Sequence, residues 1–165
     1  MIIKNFEIKK YLEKKNIFLI YGLNEGLKEE IVKNFYEIHQ KDSTFRYTEK
    51  SVFANLENFY NNLYSQSFFE KKKLIIVTEV SDKIKNEIDT ILTKNLTEIT
   101  LIFISENLEK KSKLRNLFEK DKNLVCIPVY KDENRTLSNI ALSFFRNKKI
   151  NISTESLNLI VERSA

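Results

Sequence analysis

The 165-residue sequence has one cysteine, one histidine, one proline, two glycines and no tryptophan. A single cysteine excludes an internal disulfide, and the lone His39 lacks the companions that a metal site or a catalytic triad needs. Cys126 lies in an apolar run and is predicted to be a buried core residue. No apolar run has the length of a membrane span, and the amino terminus lacks a signal-peptide core, so we expect a cytoplasmic protein without metal or membrane contact.

The composition favours a folded chain, because 42% of the residues are apolar and 31% are charged without a low-complexity tract. Lysine and arginine number 28 against 23 acidic residues, which gives a net charge of +5 that is spread along the sequence. Such a mild excess is compatible with work near DNA but does not by itself predict it.

Four short apolar runs, at 17–21, 74–77, 101–104 and 124–127, indicate strands that are buried on both faces. A weaker alternating segment at 44–48 predicts an edge strand. Helical patterns fill the intervals, at about 24–39, 51–64, 82–95 and 111–120. The alternation predicts an α/β domain with a mostly parallel sheet, helices on both faces and binding sites at the carboxyl ends of the strands.

A domain boundary is predicted just after Pro128, so that residues 1–130 form the sheet domain and 131–165 a separate segment. The second segment opens with a polar linker and carries an amphipathic helix, then another helix that starts near Ser153 or Thr154. Two such helices cannot close a core by themselves. We therefore expect 131–165 to be the beginning of a small helical domain that is cut short.

Both glycines follow the first predicted strand, where a nucleotide-binding protein has its phosphate loop. A working loop reads Gly, four residues, then Gly-Lys-Ser/Thr. Here the spacer from Gly22 to Gly26 is one residue short, Lys28 arrives one position late, and Glu29 replaces the hydroxyl. Carboxylates at this helix start would repel a triphosphate. Two interpretations stay open: a degenerate nucleotide loop (Gly22, Gly26, Lys28) with no cofactor, or an ordinary strand-to-helix turn.

The ends of the next strands carry related signals. The second apolar run ends in Thr78-Glu79, where an active ATPase of this type has Asp-Glu, and the third ends in Ser105-Glu106-Asn107, where a polar sensor is common. An enzyme alternative is a nucleotide hydrolase that uses Lys28 for phosphate and Glu79 as a base. The missing Ser/Thr and Asp argue against it, because magnesium would lack its usual anchors.

Four segments in order resemble the delta subunit of the bacterial DNA polymerase III clamp loader. They are the strand and loop at 17–27, the Ser-Phe-Phe stretch and strand at 67–77, the basic stretch 110–115 and the ending 150–157. The resemblance covers essentially the whole sequence. It implies an AAA+-like clamp-binding domain at 1–130 without ATPase activity and the start of a helical lid at 131–165. The resemblance also implies that the chain is part of the DNA polymerase III holoenzyme, a DNA-directed DNA polymerase and thus a nucleotidyltransferase. The chain itself would have no catalytic role in that complex.

In the resembled family, a hydrophobic pair before the strand at 74–77 inserts into a pocket of the sliding clamp and helps to open the ring. The pair aligns with Phe68 and Phe69, where Phe68 replaces the usual leucine, and Ser67 and Lys71 complete the expected clamp-binding set. Two adjacent phenylalanines between polar flanks cannot both face one core, and exposed aromatic anchors are typical of interface hot spots. The alternative is that one ring packs under the preceding helix.

The implied partners are the sliding clamp (beta subunit), the other clamp-loader subunits and, indirectly, primer-template DNA. Two interpretations of lysines 71–73 stay open. They are either solvated residues that precede a buried strand, or residues that contact the clamp at the rim of the interface. The basic stretch 110–115 is compatible with DNA contact in an assembled loader or with a solvated helix start. A third class, a direct nucleic-acid binder, would show salt-sensitive DNA affinity, which the scattered charge does not favour.

Overall fold

The computed structural model describes residues 1–12, 14–38, 43–65, 73–94, 96 and 98–164. The chain divides into two compact units, Met1–Val129 and Tyr130–Ala165. The strands of the first unit are β1 (Ile17–Gly22), β2 (Ser43–Thr48), β3 (Lys73–Thr78), β4 (Ile99–Ser105) and β5 (Leu124–Val129). Its helices are α1 (Glu25–Ile38), α2 (Glu49–Ala54), α3 (Leu56–Tyr64), α4 (Lys85–Leu92) and α5 (Lys113–Lys120), with 3-10 helices at Asn5–Lys10 and Asp82–Ile84.

The five strands form one sheet in the order β2-β3-β4-β1-β5, and every neighbouring pair is parallel. The predicted α/β class and parallel sheet are confirmed. β2 lies at an edge and alternates between partly buried and exposed side chains over its first four residues, as expected from its sequence pattern. Because the strands are parallel, the carboxyl ends of β1, β3 and β4 lie at the same end of the sheet, and α1 begins there.

Side chains of the sheet alternate between two apolar layers, which explains the continuous apolar runs. In β1, Leu19 and Tyr21 enter the layer covered by α2 to α5, whereas Phe18 and Ile20 enter the layer covered by α1 and the first 3-10 helix. Phe18 packs edge-on against Phe35 of α1, with the ring centroids 4.8 Å apart. Helices on both faces are thus observed as predicted.

The single helix predicted at 51–64 is wrong, because the chain breaks at Asn55 into α2 and α3. Asn55 has φ −151° and ψ 76°, and its side-chain oxygen accepts a hydrogen bond from the Asn58 N–H at 2.9 Å. The asparagine side chain bonds a backbone N–H at the start of the next helix, and this bond favours a break over a continuous helix through Asn55. The helix predicted at 82–95 also differs, since it begins as a 3-10 turn and ends at Leu92.

The second unit consists of α6 (Asn134–Asn147) and α7 (Thr154–Ser164), which contact each other. The Ser153 hydroxyl accepts a hydrogen bond from the Ser156 N–H at 3.1 Å and so caps α7. Within the described residues of both units, we find no helix with the length and apolar character needed to cross a membrane.

Candidate functional site

Only Leu23 and Asn24 connect β1 to α1. Gly22 ends β1 with φ +140°, and its N–H donates to the Glu106 carbonyl at 3.0 Å. Asn24 caps α1, since its side-chain oxygen accepts from the Leu27 N–H at 3.0 Å and its carbonyl accepts from the Lys28 N–H at 3.1 Å. This short connection does not form the wrapped backbone cradle of a phosphate loop.

Lys28 is buried, and its ammonium lies 2.7 Å from Glu25 Oε1 one helical turn earlier. The partner carboxylate is largely exposed. The lysine that would have to serve a nucleotide is therefore neutralised within its own helix, by a carboxylate at the helix start that also complements the helix dipole.

A cleft of about 660 Å³ lies between α1 and the carboxyl ends of β3 and β4. Its lining includes four carboxylates, those of Glu25, Glu29, Glu79 and Glu106. Three cations, Lys28, Lys33 and Arg46, face them. Arg46 bonds another residue of the cleft lining, because its Nε donates to the Tyr36 hydroxyl at 2.6 Å. The charge of the cleft does not suit a triphosphate.

Glu79 follows β3 in a left-handed backbone conformation, with φ +59°. That region is uncommon for residues other than glycine, asparagine and aspartate, and such strained residues are concentrated at functional sites. Thr78 before it donates its hydroxyl to the Tyr47 carbonyl at 3.3 Å. A threonine held in this way supplies no carboxylate for magnesium where an active ATPase has aspartate.

The expected sensor position after β4 has a structural role. Ser105 is buried, and its hydroxyl donates to the Val80 carbonyl at 2.6 Å, which holds the turn after β3 against β4. Glu106, the next residue, is exposed and lines the cleft. This edge of the sheet therefore keeps the layout of a nucleotide site with other chemistry.

Comparison with solved structures shows which fold this layout belongs to. The chain is similar to the Bacillus subtilis DNA clamp loader delta protein (YqeN), with a TM-score of 0.64 at 13% identity over 93% of this chain and 50% of that one. It is also similar to AMPPCP-bound DnaA from Aquifex aeolicus, with a TM-score of 0.59 at 17% identity over 95% and 54%. The chain has an AAA+ fold.

The resemblance to clamp-loader delta subunits is confirmed at the level of the fold. Domain III of the Thermotoga maritima initiator DnaA matches as well, with a TM-score of 0.51 at 16% identity over 96% of this chain and 72% of that one. The chain spans about half the length of the clamp loader protein and of the Aquifex DnaA. No family model and no curated protein matches the sequence.

The expected clamp-binding residues Ser67, Phe68, Phe69 and Lys71 lie outside the described residues, as does His39. The chain on either side of 66–72 is described. Lys73 is buried, and its ammonium donates to the Asn62 carbonyl at 2.9 Å, to the Ser65 hydroxyl at 2.8 Å and to the Ser65 carbonyl. Lys73 thus caps the carboxyl end of α3 and joins the two ends of the segment 66–72. Neither interpretation of lysines 71–73, as solvated residues or as a contact with the clamp, predicts this role for Lys73.

Cys126 is fully buried in β5, as predicted for a core residue, and burial raises the pKa of its thiol to about 12. Such a thiol is not a nucleophile at neutral pH. Among the described residues, no group of three or more His, Cys, Asp and Glu side chains is placed to hold a metal ion.

Asp82 is a structural residue that the sequence analysis missed. It follows β3 in the chain but caps α5, because its Oδ1 accepts from the Ser112 hydroxyl at 2.5 Å and from the Leu114 N–H at 2.9 Å. Partial desolvation raises the pKa of the Asp82 carboxyl, but these hydrogen bonds and the Lys113 charge outweigh it and lower that pKa below its usual 3.8. No local sequence pattern links residues thirty positions apart.

We expect Asp82→Asn to lower the free energy of unfolding by about 1 kcal/mol near pH 7, the size of a lost helix cap. Because the folded pKa is lowered, the carboxylate stabilises the fold above pH 3.8 and loses this effect as the pH falls through the folded pKa. The difference between the two proteins in urea unfolding should therefore shrink at lower pH. A difference that stays constant down to about pH 2 would contradict this role.

Proposed function

We propose that this chain is the clamp-binding module of a clamp-loader delta-type subunit, which docks on the sliding clamp, helps to open the ring and leaves ATP hydrolysis to partner subunits. The observation that carries the proposal is the AAA+ fold shared with a clamp loader delta protein, at a TM-score of 0.64 over 93% of the chain. We also propose that residues 131–165 begin the helical lid of that subunit.

The nucleotide-site geometry supports a module without ATPase activity. The connection from β1 to α1 is short, Lys28 is paired with Glu25, and four carboxylates line the cleft. Magnesium would find neither the hydroxyl of a phosphate loop nor an aspartate at Thr78. A hydrolase that uses Lys28 and Glu79 has less support than a binding protein.

The clamp contact itself rests on Ser67, Phe68, Phe69 and Lys71, which belong to the connection between α3 and β3. Paired aromatic side chains are the kind of anchor that fills a pocket in an interface hot spot. Ring opening then needs no catalytic group, because a ligand that binds the open ring better than the closed one shifts the ring toward opening.

We expect Phe68→Ala/Phe69→Ala to weaken binding to the sliding clamp of the same organism by roughly 30-fold or more, about 2 kcal/mol for the loss of an anchor. Surface plasmon resonance with immobilised clamp would measure the loss. The chain offers a matched control in its other adjacent phenylalanines, Phe144 and Phe145 of α6. Phe144→Ala/Phe145→Ala should bind the clamp as the unaltered chain does.

Equal losses in both double variants, or no clamp binding by the folded unaltered chain, would contradict the proposal. Circular dichroism of each protein establishes that it is folded. A magnesium-ATP titration with micromolar saturation would instead favour the hydrolase.

A further inference from the structure

A band of lysines follows α5 in the first unit and continues past the turn from α5 into β5. One groove of about 570 Å³ runs along α5 and ends at Asp121, and a second of about 460 Å³ includes Asn123. The two grooves thus lie on either side of one turn. Asp121 is the one carboxylate among the described lining residues of the two grooves. Seven of these lining residues are lysines: Lys85, Lys111, Lys113 and Lys120 in the first groove, and Lys14, Lys15 and Lys94 in the second.

Most of this charge is uncompensated. Lys85 pairs with Asp89, and Lys111 pairs with Glu109 at 2.9 Å, but both pairs are solvated and weak. Lys15 donates to the Lys122 carbonyl at 2.9 Å, a contact with no opposite charge. For the remaining four, Lys14, Lys94, Lys113 and Lys120, we find no ion pair among the described residues, although the Lys113 charge acts on the Asp82 carboxyl and lowers its pKa.

The first groove presents two cations without an ion pair in a row. Lys113 and Lys120 are the first and last residues of α5, seven positions apart and so on the same helix face. Their Cα atoms are separated by about 10.5 Å along the helix axis, roughly the rise of three nucleotides in a duplex strand. Arg115 of the same helix is not part of the row, because its guanidinium bonds Glu119 at 2.7 Å and the Leu108 carbonyl at 3.1 Å.

The surface suits a polyanion better than a protein partner. Protein interfaces are anchored by aromatic and large apolar residues and are depleted in lysine. The strongly exposed large hydrophobic residues of the described first unit, Ile2, Leu23, Phe53 and Tyr64, line neither groove. A small anion is also a poor match, since these exposed lysines are spread over two grooves.

We propose that this lysine band binds the sugar-phosphate backbone of nucleic acid without sequence preference. Exposed lysines act as point charges toward phosphates, and the described lining residues of the two grooves include no arginine and no aromatic side chain. This contact is independent of clamp docking through Phe68 and Phe69. It includes Lys111 and Lys113 of the basic stretch 110–115 and adds lysines from segments that are distant in the sequence.

Fluorescence anisotropy with a labelled duplex of about 20 base pairs, and with a single strand of equal length, tests the proposal between about 50 and 200 mM salt. We expect a dissociation constant in the micromolar range and binding that weakens with salt. The slope of log K against log salt concentration should be about −0.9 for each phosphate contact with duplex and about −0.7 for each contact with a single strand. Lys14→Gln/Lys94→Gln/Lys113→Gln/Lys120→Gln should weaken binding about 30-fold or more. If all four lysines contact phosphates, the slope of log K against log salt for the duplex should become shallower by about 3.6.

The matched control removes the same charge elsewhere, at four exposed lysines outside the band and outside the cleft: Lys50, Lys131, Lys148 and Lys149. This control should bind within about threefold of the unaltered chain. Equal weakening of both quadruple variants would show that net charge alone is responsible and would overturn the site. No binding to either nucleic acid at low salt, or equally tight binding to polyglutamate, would overturn the nucleic-acid partner. Circular dichroism confirms that each variant is folded.

Discussion

Gly22→Ala is expected to lower the free energy of unfolding by about 4 kcal/mol, a large share of the stability of a domain of this size. A Cβ atom on Gly22 would lie 1.8 Å from the Val129 carbonyl oxygen and 2.7 Å from its carbon. Both atoms belong to the backbone of the paired strand β5, so neither can move without breaking the pairing of Gly22 with Val129. The φ of +140° adds strain for any residue with a side chain.

Urea unfolding followed by circular dichroism would measure this loss, and Gly26→Ala is its matched control. Gly26 lies in the first turn of α1, where an added Cβ would meet only Asn24 Oδ1 at 3.8 Å. Alanine there should leave stability unchanged or raise it by about 0.5–1 kcal/mol, because glycine is the poorer helix former. Equal stability of Gly22→Ala and the unaltered chain would contradict the packing role of Gly22.

This pair of substitutions also separates the two interpretations of the glycines. In a phosphate loop both glycines serve an anion, whereas here Gly22 is required by the approach of β5 and Gly26 is a replaceable helical residue. The geometry favours an ordinary strand-to-helix turn within an AAA+ fold. We propose that the turn occupies the place of a nucleotide loop and binds no nucleotide.

Lys73→Met is expected to lower the free energy of unfolding by about 3 kcal/mol, since methionine keeps much of the apolar stem but donates no hydrogen bond. The Asn62 and Ser65 carbonyls at the end of α3 would lose their cationic partner in a buried position. Thermal or urea unfolding would measure the change. Lys50→Met, on the exposed face of α2, is the control and should change stability by less than about 0.5 kcal/mol.

Lys73 also bears on the proposed clamp contact, because it joins Ser65 and β3 at the two ends of 66–72. Under conditions where Lys73→Met is still folded, we expect weaker clamp binding, since the ends of the binding segment are less restrained before docking. Unchanged stability together with unchanged clamp affinity would show that the ammonium contacts are dispensable.

Much of the fold could be predicted from the sequence for one physical reason. Strands that are buried on both faces must be apolar throughout, so β1, β3, β4 and β5 stand out as runs, and β2 shows the alternation of an edge. The break at Asn55 escaped prediction because the helical pattern is similar on both sides of it. Only the cap from the Asn55 side chain to the Asn58 N–H shows where α3 begins.

The site was predictable to a lesser degree. The altered spacing of Gly22, Gly26 and Lys28 can be read from the sequence, because each deviation concerns residues adjacent in the chain. That Lys28 is buried against Glu25 and that Ser105 holds Val80 depends on packing. The residues 67–71 lie outside the described chain, so their role stays a prediction from the resemblance.

The sequence by itself determined the α/β class, the strand positions and the departure from a working nucleotide loop, because period and spacing are local properties of the chain. Only the tertiary structure decided which polar groups become partners. Asp82 caps α5, Lys73 joins α3 to β3, and lysines from distant segments line two grooves on either side of one turn. Such contacts depend on distances that close only when the sheet and its helices pack together.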